Sequence, residues 1–460
     1  MMARPSTRGA LLLPLLLAAC APTIAPHPSA SAVAPPAEWR TGLPRAGEVD
    51  RRWWTGFGDT RLAALVEQAR ASNVDLAIAA ARVAEARAQE KVSRSLLLPT
   101  LSASTSGAEA RSVNPFGQAT ESFAAQPTFQ AAYEIDLFGR NAAQVEAARA
   151  NAAAVEAARE AATLSVSAAT ASGYITLLAL DERRQLLVQT LESRREALRI
   201  ARDREGAGYT SELELRQAEA EYRATEQQIP AIEAAIARQE NALSLLVGEM
   251  PQRVVRDRDF DALMPPVVPK ILPSDLVRRR PDIAQAEYAL ATTDANLRAA
   301  RAQFLPQIRL SASAGAAISS ALPDPISIWS IGGSILAPLF QGGRLQGQFD
   351  AATAQRDQAA FGYRRAVLTA FREVEDQLAV IDRQNAQETA LLAQRAAVAD
   401  ALRHATNRYR AGYSPYLEQI DAQRALLTVD LALIQLRTDR LTSYVALYQA
   451  LGGGTEPERR

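Results

Sequence analysis

Two stretches, Arg204-Glu-Gly-Ala-Gly-Tyr209 and Tyr409-Arg-Ala-Gly-Tyr413, each interrupt a long heptad-patterned segment, and Gly208 and Gly412 lie 204 residues apart. Gly139-Arg140 and Gly343-Arg344 are related by the same offset, and Leu98-Pro99 and Leu305-Pro306 by 207. The chain is therefore a tandem duplication of a unit of about two hundred residues, and internal repetition constrains architecture before any local pattern does. A length of 460 residues suggests two or three domains, but a repeat of long helices can form one elongated body.

The N-terminus reads as a targeting signal: Arg4 and Arg8 precede the apolar run from Ala10 to Leu17, which is too short to cross a bilayer as a helix. Leu17-Ala-Ala-Cys20 resembles the bacterial lipobox, in which the cysteine thiol is lipidated and becomes the mature N-terminus. Cys20 is the only cysteine, so no internal disulfide is available. Residues 1–19 are read as the signal peptide and 20–52, rich in Pro and Ala, as an extended lipidated tether rather than core. Alanine at position 21, in place of aspartate, favours the outer membrane by resemblance to sorted lipoproteins.

After Trp53-Trp54, Asp59 can cap a helix that runs to about Ser95, where Leu98-Pro99 stops it. From Phe123 to Leu137 apolar residues alternate with mainly polar ones, which is a two-faced strand. From Gly139 the pattern is helical to Gly206, and about 67 residues at 1.5 Å each give a helix on the order of 100 Å. Leu215, Tyr222, Ile229, Ile236 and Leu243 then recur every seven residues, a coiled-coil seam that Pro230 should kink. Repeat 1 thus covers 53–250, with strands near 100–112 and 123–137 and a hairpin tip near 206–210. A Pro-rich connector, 251–273, leads to repeat 2 at 274–454, with strands near 306–318 and 326–339 and a tip near 410–414. Its own seam is Ile420, Leu427, Ile434, Leu441 and Tyr448, and residues 455–460 form a tail.

Four strands with one apolar face cannot close a membrane barrel, which needs at least about eight. An open edge in lipid would leave backbone groups unpaired at several kcal/mol each, so strands must be shared between copies. Three chains give twelve strands and two give eight; the pattern alone leaves both open. Lysine plus arginine (51) balances aspartate plus glutamate (51), so no net field argues for nucleic acid.

Taken in order, these pieces resemble a TolC/OprM-type, NodT-like outer-membrane efflux lipoprotein. The motifs that carry the likeness are the lipobox at Cys20, Trp53-Trp54 with Phe57-Gly-Asp59, Asp136-Leu-Phe-Gly-Arg140, Leu276-Val-Arg-Arg-Arg-Pro-Asp-Ile283 and Phe304-Leu-Pro306. Arg408-Tyr-Arg-Ala-Gly-Tyr413, Tyr416-Leu-Glu-Gln-Ile-Asp-Ala-Gln-Arg424 and Leu447-Tyr-Gln-Ala-Leu-Gly-Gly-Gly454 complete them. The resemblance implies a mainly α fold with a small β-barrel part: a homotrimer with a twelve-stranded barrel in outer-membrane lipid and an α-helical periplasmic tunnel. It also implies partners, a periplasmic adaptor (membrane fusion) protein and an inner-membrane pump of the RND type, and no cofactor.

By the same resemblance the periplasmic gate falls on Leu417, Asp421 and Arg424, which share one helical stripe at i,i+4 and i,i+3. Stacked rings of these side chains in a trimer would impede ions and latch the helices, although an i,i+3 Asp–Arg pair is also common on any polar helix. Repeat 1 offers Leu213 and Gln217 at the matching positions, so its helix is expected to lack the charge. The tips, with Gly206, Gly208, Tyr209, Gly412 and Tyr413, are the implied adaptor-docking surface, while glycine's freedom at φ > 0 is sufficient reason for the turns themselves. Trp329 fits either an aromatic girdle or the barrel wall.

Two rival classes stay in view. A structural or adhesive coiled-coil lipoprotein has no use for two-faced membrane strands. An envelope enzyme is disfavoured because two histidines, His27 and His404, and one cysteine offer no typical metal or nucleophilic site.

Overall fold

A computed structural model describes residues 21–42, 50–113 and 115–453. Cys20 and the signal segment lie outside the described residues. In chain order the elements are α1 (Thr60–Ser72), α2 (Val74–Arg94), β1 (Thr100–Val113), β2 (Ala119–Ile135), α3 (Arg140–Gly206), α4 (Glu212–Glu226) and α5 (Gln228–Leu246). Repeat 2 follows with α6 (Pro273–Arg279), α7 (Pro281–Ala302), β3 (Gln307–Ser319), β4 (Ile326–Leu336), α8 (Arg344–Arg410) and α9 (Tyr416–Ala450). The fold is mainly helical with one small antiparallel sheet, as the periodicity requires.

Local chemistry sets the boundaries. Asp59 accepts from the amides of Arg61 (2.7 Å) and Leu62 (2.9 Å) and starts α1. The single helix expected to Ser95 is instead two, because Asn73 takes an extended backbone and caps the next helix through the Leu76 amide at 3.1 Å. Gln227 interrupts the first return helix between α4 and α5. Pro230 explains the position, since it has no N–H to bond the carbonyl four residues earlier. β4 ends at Leu336, short of 339, because Pro338 cannot donate to a ladder.

The described residues divide into two compact units: those within 1–32, 82–156 and 285–365 form the first, and those within 33–81, 157–284 and 366–460 the second. The first unit contains the sheet, in the order β1-β2-β3-β4 with every pair antiparallel. The register places Leu101, Phe129, Tyr133, Leu310, Trp329 and Ile331 on one face, where they are largely exposed. The opposite face is lined by small polar groups, with Ser104 bonded to Thr128 (3.2 Å) and Ser313 to Ser330 (2.9 Å). Pro127 lies in an inner strand, where a missing N–H is costly. The β2–β3 pairing skips Gln126 and Pro127, and Gly315 fits close against them: a Cβ there would lie 2.2 Å from the Pro127 carbonyl oxygen.

The N-terminal segment is held rather than loose. In the first unit Ile24 packs on Leu297 and Phe349, His27 Nε2 meets Asp294 at 3.1 Å, and Arg301 and Arg356 donate to the carbonyls of Pro22 (2.9 Å) and Ala25 (2.5 Å). In the second unit Trp39 is buried, donates to the Ile271 carbonyl at 2.8 Å and faces Phe371 with ring centroids 5.9 Å apart. The tether expected from composition is anchored between Pro22 and Ala32, where its carbonyls accept from arginines of distant helices.

The core of the second unit gathers the start of repeat 1 and the end of repeat 2. Trp53 stacks on Tyr448 (5.6 Å, 15°) and meets Trp54 edge-on (5.6 Å, 77°), all of them buried. One stretch of α3 is apolar enough to cross a bilayer, and 67% of that stretch is buried inside the protein, as in a core helix.

Candidate gate at the helical tips

The tips of both hairpins belong to the second unit and are built alike. Tyr209 donates to the Arg204 carbonyl (2.8 Å) and Gly208 to Glu205 (2.8 Å); in repeat 2 Tyr413 donates to Arg408 (2.9 Å) and Gly412 to Tyr409 (3.1 Å). Gly208 and Gly412 both have φ of 77°, the left-handed closing residue of a helix C-terminus that satisfies its last carbonyls. Gly206 is different: it is the last residue of α3, and its φ is not positive. Tyr209 and Tyr413 are 83% and 81% exposed, so the tips present bare aromatic rings.

Below the tips the hairpins of the two repeats pack on each other through Ala197, Leu198, Ala201, Ala218, Tyr409, Tyr416 and Ile420. The Tyr409 hydroxyl donates to Glu214 at 2.5 Å, and the Arg204 guanidinium lies 4.6 Å from the Tyr409 ring centroid. Burial, followed by the bond to Glu214, pushes the Tyr409 hydroxyl well above its usual pKa.

One turn further in stands a clasp of three helices. Glu221 on α4 is 6% exposed and pairs with the buried Arg194 of α3 at 3.0 Å. Arg424 of α9 donates from Nε to the same carboxylate at 2.9 Å. Arg194 also donates to the Glu221 carbonyl (2.9 Å) and to the Thr225 hydroxyl. Burial depresses the Arg194 pKa against the pull of Glu221, while the bond to Glu221 raises that of Arg424.

Of the three expected gate residues, Arg424 and Asp421 approach at 3.7 Å, Asp421 is largely exposed and Leu417 about half exposed. The closer partner of Arg424 is Glu221, on the repeat whose helix was expected to lack the charge. Glu221 lies one turn beyond Gln217, as the next residue on that stripe. Tyr409 belongs to the tip motif, but Glu214 and Arg194 stand in no motif; among so many arginines and glutamates, heptad spacing does not select the pair that becomes buried.

Among the described residues, the buried Tyr416 hydroxyl has no hydrogen-bond partner, and neither has Arg194 Nε. Burial raises the Tyr416 pKa to about 12. Unpaired buried polar atoms cost about 1–3 kcal/mol each, so the tip holds itself together while carrying a penalty that hydration would relieve.

A family model described as outer membrane efflux protein matches residues 65–249 and 272–453, one stretch for each repeat. The chain belongs to the outer membrane efflux protein family. It is 34% identical to the pyoverdine export outer membrane protein OpmQ of Pseudomonas aeruginosa, over 97% of this chain and 96% of that one. It is 33% identical to the antibiotic efflux pump outer membrane protein ArpC of Pseudomonas putida, over 97% and 93%. The crystal structure of the open state of the Neisseria gonorrhoeae MtrE outer membrane channel superposes with a TM-score of 0.84 at 28% identity, covering 96% of this chain and 99% of that one. As an outer membrane efflux protein the chain is an efflux channel of the outer membrane that extends into the periplasm, from a family of channels rather than enzymes.

Proposed function

We propose that three copies of this chain form the exit duct of a tripartite pump. Each copy contributes four strands to a twelve-stranded barrel and two long hairpins to a periplasmic tunnel that carries small molecules out of the cell. The observation that carries the reading is a four-stranded sheet with two free edges and an exposed face that carries Leu101, Phe129, Leu310, Trp329 and Ile331. In lipid such edges must be paired and such a face needs no cover. Cys20 is the lipidated anchor, and the arginine-held segment that follows fixes its attachment to the protein.

The periplasmic end is the gate. Leu417, Asp421 and Arg424 face the duct, and the Arg194–Glu221–Arg424 clasp with the Tyr409–Glu214 bond holds the tip hairpins in their closed packing. The exposed tips at Gly206, Gly208, Tyr209, Gly412 and Tyr413 receive a periplasmic adaptor, which opens the gate by binding the released arrangement more tightly. A ligand shifts such an equilibrium only by its differential affinity. Energy comes from an inner-membrane pump of the RND type, and no chemistry occurs in the duct.

Planar-bilayer recording of the purified protein, wild type against Asp421→Ala, tests this directly. Discrete conductance steps that grow in the variant are expected. Unchanged conductance and efflux would remove Asp421 from the gate, and a protein that never conducts under any opening condition would overturn the duct.

A further inference from the structure

The polar face of the sheet is almost free of charge. Through β1, β2, β3 and β4 it presents serine, threonine, glutamine, alanine and glycine, with isoleucine or leucine at a few positions of β4. The exception is a single cluster at one end, where β2 and β3 meet the start of α3. Glu134 lies across the ladder from Arg309 and is held by Arg140 at 2.6 Å and by Arg309 at 3.5 Å. Glu134 and Arg140 are 17% and 22% exposed at their side chains, whereas Arg309 is 61% exposed. Asp136, two residues after Glu134, is engaged by the amides of Asn141 (3.1 Å) and Ala142 (2.7 Å) at the head of α3.

Two guanidinium groups therefore share one carboxylate, and the uncancelled charge sits on the more exposed of them. The charges on the apolar face, Glu109, Arg111 and Glu121, lie toward the other end of the strands, where Arg111 and Glu121 pair at 3.6 Å. If the polar face lines the lumen, as the duct reading requires, the wall is neutral along most of its length and cationic at one level.

We infer that Arg309 is a specificity-determining residue of the channel: repeated in each copy, it forms a cationic ring at the base of an otherwise neutral barrel and favours anionic solutes. Arg140 and Glu134 position it. The inference rests on the duct reading and adds a preference for a class of cargo. Charges that face a confined lumen raise the local concentration of counter-ions. With a Debye length of about 8 Å at physiological salt, three such charges bias monovalent anions over cations by about two- to threefold at this level.

The test is the reversal potential of the purified channel in a KCl gradient, for wild type, Arg309→Gln and Arg309→Cys. Cys20 is the only native cysteine, so the wild-type protein controls for reagent effects. The chloride-to-potassium permeability ratio should fall about two- to threefold in Arg309→Gln. In Arg309→Cys a cationic methanethiosulfonate reagent should restore the ratio and an anionic one should lower it further. A purely structural role would not make the ratio follow the sign of the reagent. A ratio that stays constant through all three proteins and both reagents would overturn the inference while leaving the channel intact. A wild-type protein that conducts under no opening condition would instead overturn the duct reading beneath it.

Discussion

Replacing Glu221 with glutamine separates the clasp from the general packing of the tips. The side chain keeps its size, and one buried negative charge is lost from between two arginines. Arg194 is 4% exposed and cannot turn to water. Removing one partner of a buried ion pair costs about 3–5 kcal/mol, because the other charge stays buried. Arg194 retains its bonds to the Glu221 carbonyl and to Thr225, which places Glu221→Gln near the lower end, about 3 kcal/mol. At about 1.4 kcal/mol per decade this raises the locally opened population around α4 about a hundredfold. Hydrogen exchange followed by mass spectrometry on peptides within residues 212–226 measures it, with strand peptides as an internal control. Arg424→Ala should have a much smaller effect, about 0.5 kcal/mol, since its side chain is 56% exposed. Protection of α4 in Glu221→Gln within tenfold of wild type, or an equal effect of the two substitutions, would refute the reasoning.

Tyr409→Phe removes the bond to Glu214 and leaves the ring under Arg204. It should cost about 1–3 kcal/mol of local stability and raise the open probability in bilayer recordings. Glu182 has a raised pKa, from burial first and then from Asp261 and Asp259, against an ordinary value of 4.5. A carboxyl whose folded pKa is raised stabilises the fold when protonated and loses that contribution as pH rises through the folded value. Glu182→Gln should therefore raise the melting temperature at neutral pH, with the gain disappearing below about pH 4 in a melting series. Gly315→Ala drives a methyl group to 2.2 Å from the Pro127 carbonyl oxygen and 2.9 Å from the Thr128 α-carbon. Both atoms are backbone, so β2 and β3 must part, and the yield of folded, heat-modifiable protein on gels should collapse.

Periodic features were legible in the sequence, because they repeat until chance is excluded. The two Gly-Tyr turns, the alternation around Phe129 and the seven-residue seams each named an element that the fold contains. Features set by one residue were not. Asn73 splits a helix that its neighbours would continue, and nothing in their pattern reveals that its amide will reach the Leu246 carbonyl at 2.9 Å. Of the proposed gate, Asp421 and Arg424 stand out in the sequence at i,i+3, but the partner that binds Arg424 more closely comes from the other repeat, 203 residues earlier. Such a contact depends on the relative rotation of two hairpins, which side-chain packing fixes. Composition marks the N-terminal segment as a tether, but it does not show that arginines on distant helices bind its carbonyls.

Cross-linking across the sheet edges tests the account most directly. Closure by three copies requires the free edge of β1 in one chain to pair with the free edge of β4 in the next. A cysteine in place of Ser104, combined with cysteines scanned along β4, should at the matching position give an oxidation ladder that ends at three chains in the outer membrane. A ladder that ends at two chains, that runs on without limit, or that never forms at any position would contradict the twelve-stranded barrel.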